Sequence, residues 1–145
     1  MSTEENMAIV RRYTEEGWGK QNLAVVDELA ATDMVDHNPI GMMEQQQGAE
    51  GVKRTILRLQ SAFPHFSVTI DDMLADKDKV AIRWTIRGTH QGTLMGIAPT
   101  GKSITFSGVN IYRLAGGKIV EESGMVDIAG LLQQLGALST PGPAS

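Results

Sequence analysis

Residues 79–90, KVAIRWTIRGTH, alternate apolar and polar side chains with a period of two, so that Val80, Ile82, Trp84 and Ile86 share one face of a strand. Arg83, Thr85 and Arg87 take the other face, as in a sheet that is covered on one side only. Working outward, FSVTIDDML (66–74), SITFSGVNIYRL (103–114) and KIVEESGMV (118–126) are similarly rich in β-branched residues. Turn signals at ADKD (75–78), APTG (98–101) and AGG (115–117) separate them, which predicts a meander of antiparallel strands. Before Pro64 the period is helical. STEENMAIVRRYTEEGWGK (2–20) opens with a capping box, Ser2 and Glu5, and places Met7, Val10, Tyr13 and Trp18 at helical spacing. NLAVVDELA (22–30), with Asn22 as cap, and AEGVKRTILRLQSAF (49–63) are two further helices. Helices followed by strands define an α+β fold, a curved antiparallel sheet wrapped over N-terminal helices. A bent sheet of this kind encloses an apolar cavity open at one end, the usual form of a small-molecule site. One domain over residues 1–138 and a frayed tail, STPGPAS (139–145), are expected.

The chain has 145 residues and no cysteine, which excludes disulfides, thiolate nucleophiles and thiolate metal sites. Its net charge of −4, with basic residues dispersed apart from Lys53, Arg54 and Arg58, argues against nucleic acid as a partner. No run has the form of a signal peptide or approaches the roughly 18 apolar residues of a membrane span, so the expectation is a cytoplasmic protein that binds no membrane. The three histidines are scattered without metal-ligand spacing, and no metal is expected.

Asp127 stands where the last strand meets a short helix, IAGLLQQLG (128–136), and two readings that do not exclude one another are open for it. Asp is a preferred helix N-cap, in which role backbone N–H groups lower its pKa. Alternatively, with Met125, Val126, Ile128 and Leu131 as apolar walls, desolvation raises its pKa and suits it to proton transfer. His37 and His90 are further candidates, as hydrogen-bond donors or proton shuttles, although His90 sits between Gly88 and Gly92 where a turn-supporting role competes. His65 is read as exposed, and Arg83 or Arg87 as ion-pair partners of Glu121 or Glu122.

The combination of VDHNP (35–39), GTHQG (88–92), IAPTGKSITFSG (97–108) and GKIVEE with DIAGLLQQLG (117–122 and 127–136) resembles the SnoaL-like polyketide cyclases, within the larger nuclear-transport-factor-2-like fold. The resemblance runs from Met7 to Gly136. It implies a cone-shaped α+β domain, a homodimer, a hydrophobic small-molecule ligand and no cofactor. Family cyclases close a ring by intramolecular aldol addition, and Asp127 is the residue that matches the family's acid/base aspartate. His37, His90, Tyr13, Trp18, Trp84, Phe106, Asn110, Gly124 and Met125 are the positions expected around the pocket. Many relatives carry a Trp where this chain has Ser123 and Gly124, a change expected to widen or reshape the cavity. An epoxide hydrolase of the same fold needs an Asp two residues after its arginine, and Thr85 stands two after Arg83. A related isomerase or hydroxylase, and a binding or dimerisation module without catalysis, remain as alternatives.

Overall fold

The computed structural model describes residues 2–38 and 47–137. Helix α1 (Thr3–Arg12) starts at the expected capping box: the Ser2 hydroxyl accepts the Glu5 N–H at 3.1 Å, and the Glu5 carboxylate accepts the Ser2 N–H. It runs straight into a π-helical turn, Tyr13–Trp18, whose wider winding buries Tyr13, Thr14 and Gly17 together. Helix α2 (Leu23–Leu29) leads into strand β1 (Ala30–Asp36), and α3 (Gly48–Ala62) into β2 (Ser67–Asp76), β3 (Lys79–Thr89), β4 (Ser103–Ala115) and β5 (Lys118–Val126). Helix α4 (Ile128–Gln134) closes the described part. Gly116 and Gly117 make the β4–β5 turn, both at positive φ (58° and 80°), where a side chain would be strained.

The five strands form one open sheet in the order β1-β5-β4-β3-β2. β2 to β5 pair antiparallel, as the alternation predicts, whereas β1 joins β5 in parallel. Strand β1 is absent from the sequence reading, and its register explains why: pairing is irregular between Ala30 and Val35, so no clean period of two is visible.

The helices cover one face of the sheet and divide the core into two apolar clusters. One gathers Val10, Val26, Met34, Ile56, Val80 and Ile82, with Tyr13 and Tyr112. The other gathers Phe63, Phe66, Ile86, Ile104, Phe106 and Leu131. Trp18 and Trp84 pack against both. Each fully buried aliphatic or phenyl side chain contributes about 1.5–3 kcal/mol, so these clusters carry the fold. The missing side chain of Gly108 gives the Trp84 indole its seat across β4. Among the described residues no helix is long and apolar enough to cross a membrane.

Candidate functional site

The three expected acid/base residues do not meet. Asp127 is exposed, and its Oδ1 accepts the Gly130 N–H at 2.9 Å, which makes it the N-cap of α4. The apolar walls proposed for it are missing on one side, because Met125 is 69% exposed on the outer face of β5 and lines no interior space. His37 also points outward. Its Nε2 lies 3.2 Å from Glu121 Oε2, and Glu121 in turn accepts from Arg113 Nη2 at 2.6 Å. The Arg113 hydrogen bond, with a smaller contribution from His37, holds the Glu121 carboxyl below its ordinary range.

His90 is fully buried in the second cluster, its ring 5.7 Å from that of Phe63. Nδ1 accepts the Thr100 backbone N–H at 3.1 Å and lies 3.0 Å from the Thr100 hydroxyl, so the ring proton sits on Nε2. Together with backbone bonds to Lys102 and Gly101, this makes His90 the clamp of the loop between β3 and β4. Its turn-supporting reading is the one the geometry gives. The arginine pairing also differs from expectation, since Arg83 lies near Asp71 and Asp72 on β2 rather than near β5.

Gly124 does not widen a cavity. A Cβ built there would lie 2.5 Å from the Val109 carbonyl oxygen and 2.8 Å from the Asn110 amide, which fills the space a larger residue would need. Asn110 is buried, and its Oδ1 accepts the Trp84 indole N–H at 2.7 Å. Trp84 meets Phe106 edge to face at 6.0 Å. Of the expected lining residues, Trp84, Phe106, Asn110, Tyr13 and Trp18 therefore share the interior, and Met125 leaves it.

The interior also holds two carboxylates that the sequence reading did not place there: Asp36, given no role, and Glu122, read as a partner for an arginine. Asp36 and Glu122 are register partners on β1 and β5, are 2% and 1% exposed, and are tied by a 2.8 Å bond from the His37 N–H to the Glu122 carbonyl. Gln47 grips the Asp36 backbone from both sides at 3.2 Å, and Asp36 Oδ1 accepts the Asn38 N–H at 2.8 Å. Facing them, the Tyr13 and Tyr112 rings meet edge to face at 5.7 Å. Burial raises both phenol pKa values well above the ordinary value, and the charges of Glu122 and Asp36 push in the same direction. The hydroxyls are therefore held in their donor form.

The Tyr13 hydroxyl is fully buried and makes no hydrogen bond of good geometry among the described residues. Trp18 approaches it closely enough to favour the phenolate slightly, an effect that burial outweighs. An unpaired buried hydroxyl costs about 1–3 kcal/mol.

Local parity could have found Asp36, two residues after the buried Met34, but not Glu122. At the end of β1, Asp36 turns inward, and His37, just past it, outward. On β5 the register shifts before Glu121, so that Ile119 and Glu122, three apart, both face inward. Simple alternation from Ile119 selects Glu121, the wrong neighbour.

Residues 8–135 match the family model of the SnoaL-like polyketide cyclases, and the chain belongs to that family. Among solved structures it is similar to IdmH of Streptomyces antibioticus, named as a candidate polyketide cyclase: 29% identity, 90% of this chain and 98% of that one, TM-score 0.79. It is also similar to AclR of Streptomyces galilaeus, named as a candidate hydroxylase: 26% identity, 96% and 89% covered, TM-score 0.83. A Catenulispora acidiphila protein with a ketosteroid isomerase-like fold, at 22% identity with 92% and 97% covered and a TM-score of 0.71, shares the fold. No protein of curated function matches the chain.

Proposed function

We propose that the protein is a cofactor-independent enzyme of the aldol-cyclase type, acting on a hydrophobic polyketide-type ester held between the sheet and the N-terminal helices. The observation that carries this reading is the set of buried polar groups Tyr13 and Tyr112, within the first apolar cluster, and Asn110, bonded to Trp84, which with Trp18 packs against both clusters. Apolar walls with a few convergent polar groups suit a large, weakly polar ligand. Donors kept protonated by burial suit the oxygen on which charge develops during an aldol addition. Family membership and the likeness to IdmH support the same class of chemistry. The likeness to AclR favours hydroxylation as the second reading.

The outer face of the sheet carries Val109, Ile111 and Met125, 46%, 45% and 69% exposed. This apolar surface supports a homodimer formed through that face. Light scattering of the purified protein checks it, and a monomer at micromolar concentration removes the dimer.

Turnover is tested by incubating the protein with aromatic polyketide esters that carry an activated methylene and a ketone able to close a ring. Loss of the acyclic ester and appearance of the ring alcohol is the expected result. Quenching of the fluorescence of Trp18 and Trp84 reports binding separately. Binding without conversion removes the enzyme reading and leaves a ligand-binding module.

A further inference from the structure

We propose that a pocket at the turn end of the sheet binds a single neutral polyhydroxylated ring, of the size and chemistry of one sugar residue. The pocket has a volume of about 230 Å³ and lies between α1, the β2–β3 turn and the β4–β5 turn, where Asn6, Lys77, Asp78, Leu114, Ala115 and Gly116 line it. It shares no residue with the interior set of Tyr13, Trp84 and Asn110, and so stands apart from the cyclase reading. A cavity of about 150 Å³ takes benzene, and this one has room for a six-membered ring with its substituents. Asn6 is only 3% exposed, and its Oδ1 makes no hydrogen bond among the described residues. Turning about the Cβ–Cγ bond exchanges that oxygen for the NH2 group without loss of a bond at the oxygen, so the amide offers a ligand either an acceptor or donors. The Leu114 N–H donates to the Asp78 carbonyl at 2.8 Å, which ties the two turns together and holds the walls in place without a ligand. Beside Gly116 the pocket is open, since among the described residues nothing but its chain neighbours comes within 4 Å of a Cβ built there.

Charge decides against an ion. Lys77 and Asp78 are exposed neighbours of opposite sign. Glu4 and Glu5 in the first turn of α1 disfavour an anion, and the Glu5 N–H is already given to Ser2. Lys77 disfavours a cation, and Asp78 already acts on Arg113, whose pKa its charge helps to raise. A hydroxyl both donates and accepts, so adjacent hydroxyls of one ring can serve the Asn6 amide, the Lys77 ammonium and the Asp78 carboxylate together. Leu114 and Ala115 supply apolar contact for the C–H face of such a ring.

The test is a 1H–15N NMR titration of the full 15N-labelled chain with methyl β-D-glucopyranoside and methyl β-D-galactopyranoside, with sodium acetate and methylammonium chloride as charged controls. The expected result is a saturable shift of the Asn6 side-chain amide and the Gly116 N–H with at least one glycoside, while the Trp84 indole N–H stays in place. Asn6→Ala is expected to weaken binding about tenfold, as loss of one hydrogen-bonding group does. Ala115→Trp, at an exposed turn position, is expected to abolish it by filling the mouth. Thermal melts control for folding: removal of an amide that the fold does not use leaves the Tm of Asn6→Ala unchanged or raised. No saturable shift with either glycoside overturns the site, as does binding that survives in both variants. A stronger response to acetate or methylammonium overturns the neutral class of ligand. Movement of the Trp84 indole N–H in place of Asn6 puts the sugar in the interior and overturns the pocket, and a clear fall in the Tm of Asn6→Ala overturns the open role of its amide.

Discussion

Asp36 and His37 are neighbours in sequence, as are Glu121 and Glu122, yet one member of each pair is sealed in the core and the other lies at the surface. The outward members bond to each other and to Arg113, a half-exposed ion-pair chain with ordinary surface chemistry. The inward members face two tyrosines whose ionisation is strongly suppressed. Residue type is thus a poor guide to function in this sheet, because a shift of one position exchanges water for a desolvated pocket.

The largest effect that can break this comparison is at Gly124. Gly124→Trp is expected to lose stability at or beyond the upper end of the about 1–3 kcal/mol typical of overpacking, because even a Cβ meets the Val109 carbonyl and the Asn110 amide. A melt equal to wild type would mean that the inner face around Asn110 has room to spare. Next comes the helix cap. Asp127→Ala is expected to cost about 0.5–2 kcal/mol through loss of the bond to Gly130, and Asp127→Asn, which still caps, much less. Equal melting temperatures for the two variants would show that the cap contributes nothing.

The two sets also respond at opposite ends of the pH scale. Tyr13 and Tyr112 have raised folded-state pKa values, so their contribution is full below the ordinary phenol value of 10.0 and is lost as pH rises from there toward the folded value. Glu121 has a lowered value, so its contribution is present above the ordinary 4.5 and is lost as pH falls through the folded value. Denaturant melts against pH should show the steeper loss on the alkaline side, reduced in Tyr112→Phe. A smaller acid-side change should vanish in Arg113→Gln. An alkaline limb identical in Tyr112→Phe and wild type would contradict the burial assigned to that phenol.

Most of the fold was legible because its signals are local. The capping box at Ser2, the period-two strands from Ser67 to Val126 and the Gly116–Gly117 turn all appear where the residues place them. Strand β1 was not legible, because parallel pairing with β5 is a long-range event and its irregular register hides the alternation. The site was read through its aromatic and amide residues, Tyr13, Trp84 and Asn110, whose chemistry is visible in any context. The inward place of Glu122 was not legible because the irregularity at β5 decides which of two adjacent glutamates turns inward, and the sequence carries no mark of it. Asp127 drew both the capping and the catalytic reading by its place before the last helix, and the capping bond to Gly130 is the one the structure displays.

The most direct test of this comparison is deuterium exchange into the methylene of methyl benzoylacetate, followed by 1H NMR in D2O, with the wild type and with Asp127→Asn. The account predicts a rate near wild type for Asp127→Asn, because that side chain caps α4 at the surface and Asn still caps. Loss of about 10²–10⁴-fold in Asp127→Asn would contradict the account and return the acid/base role to the exposed cap.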